Sequence, residues 1–378
     1  MHILIAPNAF KNSLSSEDAA AAIRSGFEKS RLDCRCECFP IADGGDGTGG
    51  LIIKKCGGTL IHLEVFDPLK RRIRSSFGLI DQGKTAVIEM ADASGLRLLA
   101  PDELDPLTAS SFGTGEMIRH ALDKGVNKII VAMGGSATVD GGCGILSALG
   151  VRFLDSKGMA LSGMPESLTN LAKIDLSEFD DRILSSELVV LCDVDNHLLG
   201  GKGSAAVFGP QKGATPDGVK KLESSLSKFR DIVLKQTGKD IARIEYGGTA
   251  GGAAAGLHAF FNAKLVNGIS YFLELTEFDA SLSGSDLVIT GEGSIDKQTL
   301  SGKGPFGVAY RAKLKHIPVV GLAGRIPLKE NEQISSYFNI LLSIGNEASD
   351  LATALSHTAE NLTRTSKELG NLLALFKQ

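Results

Sequence analysis

Several glycine-rich loops that carry charged side chains are the candidate sites of chemistry in this sequence. The first, 42–48, follows a run of aliphatic residues and holds two carboxylates three residues apart among glycines. Open α/β sheets bind ligands at the carboxyl ends of their strands, where this loop is expected to lie. A turn followed by a helix N-cap explains the same residues without a ligand. As a ligand site, the loop would use Asp43, Gly44 and Gly45.

A second loop, 133–142, lies between an aliphatic run and a helical pattern. Its glycines let the backbone come close to an anion, and its hydroxyls donate hydrogen bonds to phosphate oxygens. Asp140 would repel that anion unless a cation lies between them, which indicates a magnesium-bound phosphate. A tight turn without a ligand is the alternative. The residues predicted to bind the cofactor here are Gly134, Gly135, Ser136, Thr138, Asp140 and Gly141.

A third loop, 290–304, contains two acids, two lysines and four glycines after another aliphatic run. This composition is suited to orienting phosphates and a metal ion, although a solvated loop is the alternative. Its candidate residues are Gly291, Glu292, Gly293, Asp296 and Lys303.

Two further charged residues follow predicted strands. Asp193 comes directly after the run 188–192, and a carboxylate there can ligate Mg²⁺ or accept a proton from a hydroxyl. Lys11 follows the first strand, and we expect its charge at the same rim as the acids. An ordinary surface lysine is the alternative for Lys11.

Two common nucleotide-binding motifs occur in unsuitable contexts. The segment 78–85 matches the Walker A pattern, but the residues after it continue as a strand instead of a helix. Its residues 81–84 are typical of a hairpin turn. The segment 201–206 matches a loose dinucleotide pattern but lacks an acid for a ribose on a neighbouring strand. Neither a P-loop nor an NAD site is predicted.

The elements that must position these loops indicate an α/β fold, because short aliphatic runs alternate with loops and helical patterns. Parallel strands are predicted at 3–6, 128–133, 188–193, 286–290, 318–323 and 339–344. Helices are predicted at 15–29, 108–124, 216–237 and 348–376. Alternating residues over 59–91 predict an antiparallel meander. We therefore expect two α/β domains, a discontinuous one with a parallel sheet over 1–60 plus 280–378, and an inserted one of mixed sheet over 61–279.

The composition of the 378 residues excludes several function classes. Lys plus Arg number 40 against 44 Asp plus Glu, so the net charge of −4 offers no basic excess for a nucleic acid. The apolar runs fall far short of the ~20 residues of a membrane-spanning helix, and no basic leader is visible. Six cysteines without a Cys-x-x-Cys pair favour a reducing compartment. We expect a cytoplasmic protein that acts on a small molecule without nucleic acid or membrane partners.

A stripe of leucines along the last predicted helix is typical of a core face, and a dimer contact is the alternative. The expected assembly is a monomer or a homodimer.

Taken in order, these stretches resemble the bacterial class I glycerate kinase family almost from end to end. Each motif is short, but their joint order is specific. The matching motifs are Ala6-Pro7 through Phe10-Lys11, Ser13-Leu14-Ser15, Ala42-Asp43-Gly44-Gly45, Gly113-Thr114-Gly115-Glu116, Gly134-Gly135-Ser136-Ala137-Thr138, Cys192-Asp193-Val194, Phe208-Gly209-Pro210-Gln211-Lys212-Gly213, and Thr290-Gly291-Glu292-Gly293 with Asp296.

The resemblance implies ATP-dependent phosphorylation of D-glycerate, on its 2-hydroxyl, by a two-domain α/β protein unrelated to P-loop kinases. One of the domains is expected to be Rossmann-like or flavodoxin-like. The sequence departs from the family's usual Asp, Gly, Glu, Asn and Pro at Asn8, Asn12, Asp46, Val139 and His197, respectively. Because an amide is neither a base nor a strong metal ligand, Asn8 does not take over a role of the family's acid.

The residues and the resemblance together suggest roles, since phosphoryl transfer requires positioning, charge neutralisation and an acid near the attacking hydroxyl. Asp193 is expected to act as base or Mg²⁺ ligand, and Glu292 and Asp296 are further candidates for both tasks. Lys11 and Lys303 would neutralise charge, and the loop 134–141 would hold phosphate. The expected cofactors are ATP and Mg²⁺. Two alternatives remain, a kinase for another small hydroxy acid and a non-catalytic ligand sensor on the same scaffold.

Overall fold

The computed structural model describes residues 1–297, 299–329 and 331–376. The chain divides into two compact units, Met1–Asp43 with Ile269–Gln378 (the discontinuous unit) and Gly44–Gly268 (the inserted unit). Both units contain strands and helices, so the predicted α/β class with an inserted second unit is confirmed. The predicted domain bounds differ from these units.

The difference in bounds has a local reason. The helix at Thr48–Lys55 packs on strands of the inserted unit, so the chain leaves the discontinuous unit before this helix instead of after it.

The strands of the described residues, in chain order, are β1 (His2–Ile5), β2 (Arg35–Cys38), β3 (Thr59–Phe66), β4 (Arg72–Ile80), β5 (Thr85–Glu89), β6 (Lys128–Ala132), β7 (Arg152–Leu154), β8 (Lys173–Asp175), β9 (Glu187–Cys192), β10 (Lys264–Asn267), β11 (Leu287–Ser294), β12 (Val319–Arg325) and β13 (Ile340–Ser343).

The α-helices of the described residues are α1 (Ser16–Glu28), α2 (Thr48–Lys55), α3 (Ala91–Ser94), α4 (Phe112–Asp123), α5 (Cys143–Ala148), α6 (Ser204–Phe208), α7 (Pro216–Thr237), α8 (Ala253–Phe261), α9 (Gly268–Leu275), α10 (Phe278–Leu282), α11 (Gly304–Leu314), α12 (Glu332–Ser335), α13 (Leu351–Ser356) and α14 (Thr358–Leu375).

The sheet of the discontinuous unit has five parallel strands in the order β13-β12-β11-β1-β2. Numbered within this unit alone, the order is 2-1-3-4-5, which is the flavodoxin-like arrangement. The central strands are buried on both faces because their sequences are nearly continuous aliphatic runs; Ile3, Leu4 and Ile5 are fully buried. In such sheets the ligand crevice lies between the first and third strands, which are β1 and β11 here.

The inserted unit contains a six-stranded mixed sheet in the order β10-β9-β6-β5-β4-β3. Strands β10, β9, β6 and β5 are parallel, whereas β5-β4 and β4-β3 are antiparallel pairs, which confirms the predicted meander. The Walker A match lies across the β4–β5 hairpin, where Gln82 and Gly83 have φ angles of 56° and 86°. No helix follows it, so this segment is a turn.

The six predicted parallel strands all exist, and they are divided between the sheets of the two units. Strands β6 and β9 lie in the inserted unit, and β1, β11, β12 and β13 lie in the discontinuous unit. Strand β11 is also longer than predicted and includes Glu292, because Gly291 to Ser294 continue to pair with β12. A Cβ atom at Gly291 would lie 2.2 Å from the Leu322 carbonyl oxygen, so only glycine fits this pairing.

Two helices, α13 and α14, replace the single last helix of the sequence-based prediction. At the break, the Thr358 hydroxyl donates to the Leu355 carbonyl oxygen at 3.0 Å. Helix α14 packs on α1 and buries Leu362 and Leu369, whereas Leu351 and Phe376 are exposed. The middle of the leucine stripe is therefore a core face, and its part in assembly stays a prediction. In the described part of the chain, no helix has both the length and the apolar character needed to cross a bilayer.

Candidate active site

Two clusters of polar residues, one in each unit, contain the predicted site residues. The first is the switch-point cluster of the discontinuous unit, which consists of Asn8, Lys11, Asp43, Glu292, Asp296, Thr299 and Lys303. The second is the glycine pocket of the inserted unit, which is formed around Gly134, Gly135, Ser136, Asp193 and Lys212.

Strands β1 and β11 position the switch-point cluster. They are direct neighbours, and Ile5 of β1 is in register with Ile289 of β11. Lys11 lies in the turn after β1, where Phe10 and Leu14 form an isolated bridge, and Asn12 closes this turn with a φ of 62°. A Cβ atom at Gly293 would lie 3.8 Å from the backbone nitrogen of Lys11, so the two chain segments are adjacent. This is the ligand-binding end of a flavodoxin-like sheet.

Glu292 is the buried acid of the switch-point cluster. Its side chain accepts a hydrogen bond of 3.0 Å from the Thr299 hydroxyl. Burial raises the pKa of Glu292 to about 7, with Asp43 acting in the same direction and Lys303, Thr299 and Lys11 acting against it. A carboxyl group with a pKa near neutrality is suited to accept or release a proton in a reaction.

Asp43 is held between a side-chain amide and a helix. Its Oδ2 atom accepts from the Asn8 amide at 2.9 Å and from the Gly304 backbone N–H at 3.4 Å. Gly304 is the first residue of α11, and the positive end of a helix stabilises a carboxylate. The family usually has aspartate at position 8. Asn8 instead donates a hydrogen bond to Asp43, whereas an aspartate would place a second carboxylate next to it.

Asp296 and Lys303 flank Thr299 in the sequence. The backbone N–H of Asp296 donates to the Thr299 hydroxyl at 3.1 Å, and the Ser294 hydroxyl donates to the Asp296 carboxylate at 3.1 Å. Lys303 is the residue before α11 and is half-buried. Sequence reasoning missed Thr299, since a threonine in a polar loop gives no signal of its own.

The backbones of two distant glycine motifs pack together to form the floor of the glycine pocket. Gly134 donates from its backbone N–H to the Gly44 carbonyl oxygen at 3.0 Å. A Cβ atom at Gly134 would lie 2.3 Å from the Cα atom of Gly45, so a side chain is excluded there. Gly135 has a φ of 70°, which also favours glycine. Gly44, Gly45, Gly134 and Gly135 are thus brought together as binding candidates.

The glycine pocket is a small cavity of about 80 Å³. Its polar lining comes from Gly134, Gly135, Ser136, Asp193, Gln211 and Lys212. Asp193 lies directly after β9 and is half-buried, as expected for an acid at the carboxyl end of a strand.

Lys212 is the buried cation of the glycine pocket. It lies in the single turn Pro210–Lys212 before α7, and its ammonium group donates to the Ser136 hydroxyl at 2.8 Å and to the Thr138 carbonyl oxygen at 2.7 Å. Burial lowers the pKa of Lys212 to about 7, while the charges of Asp140 and Asp193 act against this shift. Lys212 was not among the predicted site residues, although it belongs to one of the motifs that carry the family resemblance.

The Asp140 carboxylate is held by hydrogen bonds from neighbouring groups of the protein. Its carboxylate is 1% exposed and accepts from the Ser111 backbone and hydroxyl groups at 3.0 and 2.7 Å. It also accepts from the backbone N–H groups of Gly142 and Gly144 at 2.9 and 3.1 Å, at the start of α5. These four donors occupy the carboxylate, and Asp140 does not line the glycine pocket. A role for Asp140 or for the neighbouring Gly141 in cofactor binding stays a prediction.

A second buried acid, Glu89, supports the motif that contains Gly44 and Gly45. It accepts from the backbone N–H groups of Gly47 and Gly49 at 3.0 and 2.6 Å, next to the start of α2. Burial raises the pKa of Glu89 to about 8. Asp46 forms an ion pair with Arg97 at 2.9 Å, and Arg97 also binds Asp92. Glu89 lies on a predicted strand, so no loop pattern indicated it.

The acids of the two clusters are candidate ligands for a metal ion. Within residues 1–297, 299–329 and 331–376, no three His, Cys, Asp or Glu side chains converge as a metal-binding group. Mg²⁺ in phosphoryl transfer commonly takes one or two protein carboxylates and completes its coordination with phosphates and water. Within each unit, one acid at the carboxyl end of a strand could serve as such a ligand, Glu292 in the discontinuous unit and Asp193 in the inserted unit.

A profile of the glycerate kinase family matches residues 3–374. The protein named "Glycerate kinase" from Bacillus subtilis (strain 168) is 43% identical over 377 residues, covering 100% of this chain and 99% of the relative. "Glycerate 2-kinase" from Escherichia coli (strain K12) is 39% identical over 379 residues, covering 99% of this chain and 98% of the relative.

The crystal structure of a protein from Salmonella typhimurium LT2, which carries a glycerate kinase description, is similar with a TM-score of 0.83 and 40% identity. The match covers 100% of this chain and 99% of that chain. The resemblance found in the sequence motifs is thereby confirmed over the full length, including membership in a family of kinases. This chain belongs to the glycerate kinase family.

Proposed function

We propose that this protein transfers the γ-phosphoryl group of ATP to the 2-hydroxyl of D-glycerate in a magnesium-dependent reaction. The observation that carries the proposal is the glycine pocket, where glycine backbone, a hydroxyl and a buried lysine surround an acid at a strand end. This arrangement is suited to phosphate and differs from a P-loop. The choice of the 2-hydroxyl is supported by the name of the Escherichia coli relative.

Phosphoryl transfer requires phosphate binding, proton transfer and charge neutralisation, and different residues meet each of these requirements. ATP with Mg²⁺ supplies the phosphoryl group and the charge that activates it for transfer. The loop 134–141 holds phosphate oxygens, with Gly134, Gly135, Ser136 and Thr138 as its candidate binding residues. Gly291 and Gly293, on either side of Glu292 at the end of β11, are further candidate binding residues, because glycine lets a ligand come close to the backbone.

The charged residues supply proton transfer and charge neutralisation. Asp193 acts as base or Mg²⁺ ligand, and Glu292 is the second candidate for each task, with Asp296 beside it. A pKa of about 7 allows Glu292 to accept the proton of a substrate hydroxyl near neutral pH. Lys11 and Lys303 neutralise negative charge next to Glu292.

The test is a coupled assay of ATP consumption with and without D-glycerate, followed by phosphorus NMR of the product. We expect turnover that requires D-glycerate, stops when Mg²⁺ is chelated and yields 2-phosphoglycerate. Turnover with other small hydroxy acids but not with D-glycerate would support the related-kinase alternative. Ligand binding without any turnover would support a sensor.

We also propose that the protein works in the cytoplasm as a monomer or homodimer. The support for a reducing compartment is that all six cysteines, Cys34, Cys36, Cys38, Cys56, Cys143 and Cys192, are free thiols. Fractionation of the producing cell and light scattering of the purified protein test the two statements.

A further inference from the structure

Lys212 is a buried cation that makes no direct contact with a carboxylate in the described part of the chain. Its side chain is almost completely shielded from water, and the two groups that accept from it, the Ser136 hydroxyl and the Thr138 carbonyl, are both neutral. Among the described residues, no carboxylate forms an ion pair with it. Buried charges in proteins are normally paired or bound to a ligand, because removing a charge from water is costly. Asp140 and Asp193 act on Lys212 only from beyond hydrogen-bond distance, so the position directly beside its ammonium group is suited to a ligand of opposite charge.

The groups around Lys212 are further hydrogen-bond donors without acceptors. In the described part of the chain, the backbone N–H groups of Gly135 and Ser136 donate to no protein oxygen. The Thr138 hydroxyl is fully buried and has no hydrogen-bond partner there either. Gly135 and Ser136 line the glycine pocket, so their N–H groups are open to an acceptor bound in the cavity. Ser136 is buried, and buried polar groups are nearly always satisfied in folded proteins, which indicates that such an acceptor is bound there during function.

The size of the cavity restricts that acceptor. About 80 Å³ is well below the several hundred Å³ of a typical pocket for a whole small molecule. The space suits a single compact group with several acceptor oxygens. A phosphate group and a carboxylate group both meet this description, and of the proposed substrates ATP carries phosphate groups and D-glycerate carries a carboxylate.

We propose that Lys212, together with the backbone N–H groups of Gly135 and Ser136, binds an oxyanion group of a substrate in the glycine pocket. This inference rests on the proposed function, in which that group is either the terminal phosphate of ATP or the carboxylate of D-glycerate. Lys212 is then a binding residue that touches the substrate.

The experiment measures the binding of ATP and of D-glycerate separately by isothermal titration calorimetry, in the wild type and in Lys212→Met. A lost charged hydrogen bond weakens binding by roughly ten- to hundredfold. We expect that loss for one of the two ligands only, and the affected ligand identifies the bound group. Lys220→Met is the matched control, because Lys220 lies on the exposed side of α7 and pairs only with Asp217; it should bind both ligands as the wild type does.

A second variant covers the case in which Lys212→Met folds poorly. Lys212→Ala leaves a space in which an added alkylammonium ion can replace the lost charge. Rescue of the weakened affinity by ethylammonium, but not by the same concentration of tetramethylammonium, supports the proposal. Equal weakening for both ligands without rescue would show that Lys212 is only structural.

Failure of this inference is distinguishable from failure of the proposed function. If the coupled assay shows glycerate-dependent turnover while Lys212→Met keeps wild-type affinity for both ligands, the inference is overturned and the function stands. If the assay shows no turnover but Lys212→Met selectively loses affinity for one ligand, the oxyanion site stands and the kinase activity does not.

Discussion

The hydroxyl of Thr299 donates a 3.0 Å hydrogen bond to the buried carboxylate of Glu292. This contact stabilises the ionised form of Glu292, whose pKa burial raises to about 7. Thr299 therefore adjusts the protonation of the acid at the switch point without itself being charged. The pH dependence of the reaction is the property through which this contact can be measured.

Replacing Thr299 by valine removes that donor and keeps the shape of the side chain. Because the ionised form of Glu292 loses a hydrogen bond, its pKa should rise further above the wild-type value of about 7. If Glu292 is the base, the acidic limb of the kcat/KM profile moves to higher pH and activity at pH 7 falls several-fold. Thr299→Ser keeps the hydroxyl and should retain the wild-type limb. An unchanged profile in Thr299→Val would exclude Glu292 as the titrating base.

Asp193→Asn keeps the size of the side chain and removes its charge. If Asp193 is base or metal ligand, kcat should fall by about 10² or more, which is the scale of general base catalysis. The melting temperature should stay close to that of the wild type. Asp195→Asn, two residues further along an exposed part of the loop, is the control and should retain activity. A lowered melting temperature with unchanged kcat would instead identify Asp193 as structural.

Gly134→Ala tests the packing of the two glycine motifs. The added Cβ atom would lie 2.3 Å from the Gly45 Cα atom, so the backbone must move. Overpacking of this kind costs about 1–3 kcal/mol of unfolding free energy, and the pocket should lose affinity for its ligand as well. Gly50→Ala, in α2 with no atom within 4 Å of the new Cβ, should be neutral or slightly stabilising. Urea unfolding of both variants makes the comparison.

Lys84→Ala changes the lysine of the Walker A match. Lys84 is exposed in the β4–β5 turn, so turnover should stay nearly unchanged. Lys11→Ala, in contrast, removes a charge next to Glu292 and should lower kcat/KM markedly. Steady-state kinetics of the two variants separate the interpretations. A loss of more than ~100-fold in Lys84→Ala, the scale of a lost electrostatic contact in the transition state, would contradict the assignment of this segment as a turn.

Local sequence patterns predicted the strands better than they predicted which strands pair with each other. Buried parallel strands have nearly continuous aliphatic sequences, so β1, β6, β9, β11, β12 and β13 were all found. The sequence pattern of a strand does not specify which strands it pairs with, so the order of the strands within each sheet was not predicted. Gly291 and Gly293 suggested a loop, yet pairing with β12 continues the strand through them.

For the site residues as well, local patterns did not show contacts between residues that are distant in the sequence. Asp193 was found because it comes directly after an aliphatic run, and Glu292 was found because it lies in a loop rich in glycine and charged residues. Lys212 was missed because its burial depends on Ser136 and Thr138, which are 76 and 74 positions away in the sequence. Asp140 was predicted to face a magnesium-bound phosphate because of its place in the loop, and no sequence pattern indicated the four donors within the chain that its carboxylate contacts.

The central position of β1 in its sheet determines the order in which the chain can fold during synthesis. One edge of β1 pairs with β2, but the other pairs with β11, where Ile3 is opposite Leu287. Strand β1 can therefore pair on both edges only after β11 has been synthesised, late in translation. The inserted unit, Gly44–Gly268, is contiguous in the sequence, so all of its residues are available earlier. Nascent chains that end after Gly268 should contain a protease-resistant inserted unit and a cleavable segment 1–43. The last part of the protein to be synthesised thus completes the sheet that the first part began.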